Sequence, residues 1–117
     1  MNQQIPKNLS PRALNQWLLG ESPKPTLIDV REDDELVIAP FPSPVIHLPL
    51  SQAFAWKEEL PEKLVKDQPV VVICHLGVRS WNFANWLIQQ DWQLEVWNLE
   101  GGIAAWSEQV DSSVARY

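Results

Sequence analysis

Apolar and polar positions alternate along this chain with two different periods, and the switches between them mark its elements. In "NLSPRALNQWLLGES" Leu14, Trp17 and Leu18 share one helical face, with Ser10 as N-cap, Pro11 at the first helical position and Gly20 after the last turn. Pro23 and Pro25 end that helix, and "TLIDVRE" follows as a buried strand whose functional end is Asp29 to Glu32. The stretch "ELVIAPFPSPVIHLPLSQ" carries four prolines, which argue against regular helix and central strand, leaving only brief extended pairing over Val45 to Leu48. Residues 51 to 66 read as one or two short helices broken near Pro61. "PVVVIC" is a continuous β-branched run, the mark of a strand covered on both faces. Between Arg79 and Gln90, Phe83, Ala84, Leu87 and Ile88 recur at helical spacing; "QLEVWNLEGG" then supplies a strand with a glycine turn, and Ile103 to Val110 a last short helix. Strand and helix alternate over long crossovers with no tight hairpin signal, which predicts an α/β fold with a mainly parallel sheet.

Composition narrows the class. A length of 117 residues suits a single domain over 1–117, and 45% apolar content with seven tryptophans is too rich for disorder. No apolar run approaches the roughly 18 residues of a membrane span. The net charge of −6 repels phosphate backbones and anionic membrane surfaces, so neither nucleic acid nor membrane is an expected partner. Met1 to Ser10 lack the charged start and apolar centre of a secretory signal, making a cytoplasmic location the expectation. A monomer is the default for a domain of this size. One cysteine makes no internal disulfide, and with only His47 and His75 beside it a zinc site is poorly supplied. Neither metal nor organic cofactor is expected.

That cysteine, Cys74, ends the most apolar strand and is followed by "HLGVRS" and a helix. A lone cysteine in such a place is ordinarily a small hydrophobe. The loop changes the weighting, because sites in parallel sheets lie outside the carboxyl ends of strands, and a loop entering a helix turns backbone N–H groups toward the sulfur. That setting favours a thiolate, Arg79 adds a permanent cation, and Gly77 permits a tight turn. The pattern predicts a nucleophilic thiolate in an anion cradle.

Three segments, "LIDVRE" at 27 to 32, "CHLGVRS" at 74 to 80 and "NLEGGIAAW" at 98 to 106, resemble the landmarks of the rhodanese family in order and spacing, covering about residues 9 to 110. The resemblance implies a five-stranded, mainly parallel sheet flanked by helices on both faces, and a sulfurtransferase whose cysteine cycles through a persulfide. Cys74 matches the sulfur-accepting residue, and His75, Leu76, Gly77, Val78 and Arg79 match the rest of its six-residue loop. Phosphatases of the same fold have one more residue between Cys and Arg, whereas four separate Cys74 from Arg79, a tighter ring suited to a single sulfane sulfur. Asp29 and Arg31 resemble a pair that braces the loop, and Ser80 is read as a helix-start residue bonding backbone groups. The implied partners are a small donor such as thiosulfate, or a protein that gives or takes sulfur. The rival reading is a rhodanese-like interaction module without required catalysis, with Trp81 and Trp86 as its partner surface. His47 is read as packed, and His75 as a variable position able to orient an anionic donor when protonated. Two departures from the family pattern are "VIAPFPSPVIHLPL", which lacks its usual glycines, and Asp91, which stands where a helix-ending glycine is common.

Overall fold

The computed structural model describes residues 3–117. Five strands, β1 (Lys7–Leu9), β2 (Thr26–Asp29), β3 (Ile46–His47), β4 (Val70–Ile73) and β5 (Val96–Leu99), form one sheet in the order β1-β5-β4-β2-β3. Every pairing is parallel. The apolar runs of the sequence are the middle of this sheet: β2 and β4 are buried at all four positions. Alternation within β4 divides the core. Val70 and Val72 face α5 (Val78–Gln89) and the short helices α3 (Ala53–Trp56) and α4 (Leu60–Lys63). Val71 and Ile73 face the layer formed with α1 (Pro11–Leu19) and α6 (Gly102–Gln109). Helices therefore cover both faces, and the crossovers between parallel strands supply them.

Local chemistry sets the element ends as the sequence predicts at most positions. The Ser10 hydroxyl accepts from the Ala13 N–H at 3.1 Å, with Pro11 opening α1. Pro61 lies in the first turn of α4, where a missing N–H costs no helical bond, so the break falls before it. Asp91 takes a left-handed φ of 58° after α5, the conformation for which glycine is the usual choice. Among the described residues, no helix is long and apolar enough to cross a membrane.

Two elements differ from the sequence reading. A helix, α2 (Asp33–Ile38), occupies the start of the segment whose prolines argued against one. The first of those prolines is Pro40, so residues 33 to 38 keep their donors, and Asp33, Asp34 and Glu35 in the first turn complement the helix dipole. β1 carries no periodic signal because only Leu9 of its three residues is buried, and it pairs with β5 alone at the sheet edge. The expected extended pairing after the prolines forms as β3, with Ile46 and His47 opposite Ile28 and Asp29.

Candidate active site at the end of β4

Asp29 lies opposite Ile73 in the register, so the carboxyl ends of β2 and β4 deliver Asp29 to Arg31 and Cys74 to neighbouring positions. Cys74 is only 1% exposed, at the floor of the loop that leads into α5. Its sulfur receives the backbone N–H of Gly77 at 3.1 Å and of Ser80 at 3.3 Å, and stands 3.1 Å from the Ser80 hydroxyl. These are the amides that the helix start was expected to present. Gly77 takes φ 93°, and a Cβ there would lie 2.9 Å from the Gly101 nitrogen, so the tight turn requires glycine twice over.

The other wall of the loop is the start of α6. Its Ile103 and Ala104 N–H groups donate to the carbonyls of Cys74 and His75, at 2.9 and 3.0 Å. This anchoring ties the "NLEGGIAAW" segment to the cysteine loop physically.

Ser80 differs from its sequence reading. Its hydroxyl turns inward to a side-chain network instead of to backbone groups: it donates to Asn98 Oδ1 at 2.6 Å as well as meeting the sulfur. The Asn98 amide nitrogen donates to the Gly77 carbonyl and to Asn8 Oδ1, both at 3.3 Å, which fixes which end of that amide faces Ser80. The hydroxyl has one proton for two acceptors. With a thiol it serves Asn98 and accepts from S–H; a thiolate offers it a charged acceptor instead. Asn98 sits within an apolar strand, and its sequence signals are that polar interruption of "VWNL" and its place at the head of "NLEGGIAAW".

Both arginines at the site are paired. Arg79 makes two hydrogen bonds to Glu35, at 2.7 and 2.8 Å, so its guanidinium is held by α2. Arg31 and Asp29, both fully buried, bond through Nε and Nη2, the latter at 2.8 Å. The His47 ring donates through Nε2 to the Arg31 carbonyl at 2.6 Å, a bond beyond the packing expected of it. Arg31 Nη1 donates to the Tyr117 hydroxyl at 3.0 Å, and that hydroxyl donates to Glu35 at 2.9 Å. Asp29 and Arg31 thus reach the loop's arginine through Tyr117 and Glu35, two residues the motif reading did not single out. Glu35 was hidden by the reading of its segment as irregular, and Tyr117 by its distance of 86 residues from Arg31.

Arg79's hydrogen bonds hold the Glu35 carboxyl down at about 2, against the opposing effect of burial and with help from a backbone N–H and Tyr117. A carboxyl depressed from 4.5 to about 2 on folding stabilises the fold fully above 4.5, and that contribution drains as pH falls toward 2. Between these limits the urea midpoint of the wild type is expected to fall more steeply with acid than that of Glu35→Gln. Parallel acid slopes would remove Glu35 from the linkage.

Trp81 and Trp86 line different grooves. Trp81 borders a groove with Leu76, Val78 and Gly101, beside the loop. Trp86 belongs to an aromatic cluster with Trp56, Phe83 and Trp92, and lines a separate groove that reaches Arg79. The exposed apolar side chains at the site are Leu76 and Val78, 61% and 66% exposed, on the rim above the buried sulfur. No group of acids, histidines and cysteine suited to a metal occurs among the described residues.

The sequence model of the rhodanese-like domain matches residues 10–109. The chain belongs to the rhodanese family. Among its relatives is a sulfurtransferase of Allochromatium vinosum, 33% identical over 89 residues that make up 76% of this chain and 78% of that one. The chloroplastic rhodanese-like/PpiC domain-containing protein 12 of Arabidopsis thaliana is 41% identical over 91 residues, 78% of this chain but only 30% of that protein's length. A rhodanese-like domain protein from Staphylococcus aureus superposes with a TM-score of 0.72 at 25% identity, covering 89% of this chain and 94% of its own. The rhodanese fold expected from the three motifs is therefore the fold observed, and sulfurtransferases are its relatives.

Proposed function

We propose that this rhodanese moves a sulfane sulfur from a donor to an acceptor through a persulfide on Cys74. The observation that carries the reading is the sulfur at the floor of the loop with two backbone N–H groups and a hydroxyl directed at it. A thiol kept only for packing has no use for three polar neighbours, whereas a sulfur anion needs them. With thiosulfate as donor, the Cys74 thiolate attacks the outer sulfur, the new S–S bond forms, and sulfite leaves with the electrons of the broken bond. The persulfide anion stays in the cradle as charge does in an oxyanion hole. An acceptor thiolate then attacks the terminal sulfur, becomes the persulfide, and returns Cys74 as thiolate. Electrons balance at each step without metal or organic cofactor. The loop His75 to Arg79 and Ser80 after it form the cradle, with Gly77 and Ser80 supplying its N–H groups; Asn98, Asp29, Arg31 and Glu35 hold it.

Intact mass under non-reducing conditions, before and after thiosulfate, tests this. The wild type is expected to gain one sulfur, Cys74→Ser none, and the increment should vanish with a thiol acceptor or cyanide. No gain from thiosulfate, mercaptopyruvate or a desulfurase persulfide would overturn the reading in favour of an interaction module using the Leu76 and Val78 rim.

A further inference from the structure

The tail after α6 folds back over the Cys74 loop. It is pinned by Val114, which is buried in the core and whose carbonyl accepts the Ser107 hydroxyl at 2.7 Å. Three residues later the Tyr117 ring lies flat on His75, with centroids 3.9 Å apart and planes 11° from parallel. Its hydroxyl sits between Arg31 and Glu35. A guanidinium only donates and a carboxylate only accepts, so the phenol must accept from Arg31 and donate to Glu35. Burial pushes this phenol up to about 12, so it keeps its proton for Glu35 at neutral pH. Glu35 in turn holds both terminal nitrogens of Arg79. Tyr117 therefore touches the first residue after Cys74 directly and the last residue of the loop through a single carboxylate.

We propose that Tyr117 is a positioning residue for the Cys74 loop: its ring clamps His75 while its hydroxyl joins the buried Asp29–Arg31 pair to the Glu35–Arg79 pair. The family match covers residues 10–109, so Tyr117 lies outside it while the residues it holds lie within. Both ends of the loop are held, and the N–H groups of Gly77, between them, and of Ser80, next after Arg79, are directed at the sulfur. The stacked face of Tyr117 holds the imidazole ring of His75 in place. The aromatic ring does so at the entropic cost of only two side-chain torsions.

The proposal rests on Cys74 being the reacting sulfur, and its test is read on the thiol itself. Iodoacetamide alkylation of Cys74 is followed by mass across pH in the wild type, Tyr117→Phe and Tyr117→Ala, with thermal unfolding alongside to establish that each is folded. Loosening the loop weakens the N–H contacts that favour thiolate. The Tyr117→Ala profile is expected to move to higher pH. Tyr117→Phe, which keeps the stack and loses the bridge, should fall between the two. The midpoint of the profile, unlike its plateau, does not respond to a change in access alone. A wild-type midpoint for Tyr117→Phe would overturn the bridging role, and wild-type midpoints for both variants would overturn the proposal. Moved midpoints in a protein that never takes up sulfur would support the clamp and sink the sulfurtransferase reading instead.

Discussion

Gly102→Ala is expected to disable the Cys74 loop while leaving the sheet intact. Gly102 opens α6 at φ 61°, and a Cβ built there would lie 2.4 Å from the Cys74 carbonyl oxygen and 2.5 Å from that of His75. The left-handed conformation alone costs a non-glycine residue about 1–2 kcal/mol. The clash adds to this, and the contacted atoms are backbone, which cannot rotate away. Relief must come from moving the loop away from α6, which strains the Ile103 and Ala104 N–H bonds to it. A displacement near 1 Å at reacting groups costs on the order of a hundredfold in rate. Sulfur loading of Gly102→Ala, timed by intact mass, should fall by about that factor while its far-ultraviolet circular dichroism stays native. Loading at the wild-type rate would show that α6 does not set the geometry of the cradle.

Arg31→Met should cost stability before it costs chemistry. Asp29 and Arg31 are both fully buried, and the Asp29 carboxylate receives Nε and Nη2 of Arg31 together with its backbone N–H. Removing the cation leaves a buried carboxylate with the backbone donor but without its counter-charge, a situation that typically costs about 3–5 kcal/mol. The same change removes the donor to Tyr117 and so detaches the bridge to Glu35 and Arg79. Denaturant unfolding should show the loss, and Asp29→Asn in the same chain should recover part of it, because the charge left unpaired is then gone. A double variant no more stable than Arg31→Met would mean that packing, not the stranded charge, sets the cost.

Most of the sheet can be read from the chain because burial on both faces demands unbroken apolar runs. "TLID" and "VVVI" have no reading as amphipathic helix, and they form β2 and β4. β1 and α2 escaped because little of either is buried: one residue of β1 and none of α2, whose first turn is held by acid residues at its start. The site divides along the same line. That Cys74 to Ser80 make a loop running into a helix was legible because seven contiguous residues carry cysteine, glycine, arginine and helix start together, whereas the partners of Arg79 and Ser80 were not. Nor was the role of Glu35, Asn98 or Tyr117, because each acts on that loop from at least 18 positions away, Glu35 from 44.

The sequence by itself determined that the chain makes a parallel α/β sheet with a cysteine loop at a strand's carboxyl end, and the rhodanese family to which its three motifs pointed. Period and apolar runs are local properties, and so is a loop of fixed length. Only the tertiary structure decided what each polar side chain faces. It turned Arg79 toward Glu35, gave the one Ser80 proton two acceptors, and brought Tyr117 onto His75. A side chain's partner depends on which distant elements the sheet order places beside it, and that order is settled by packing the whole core at once.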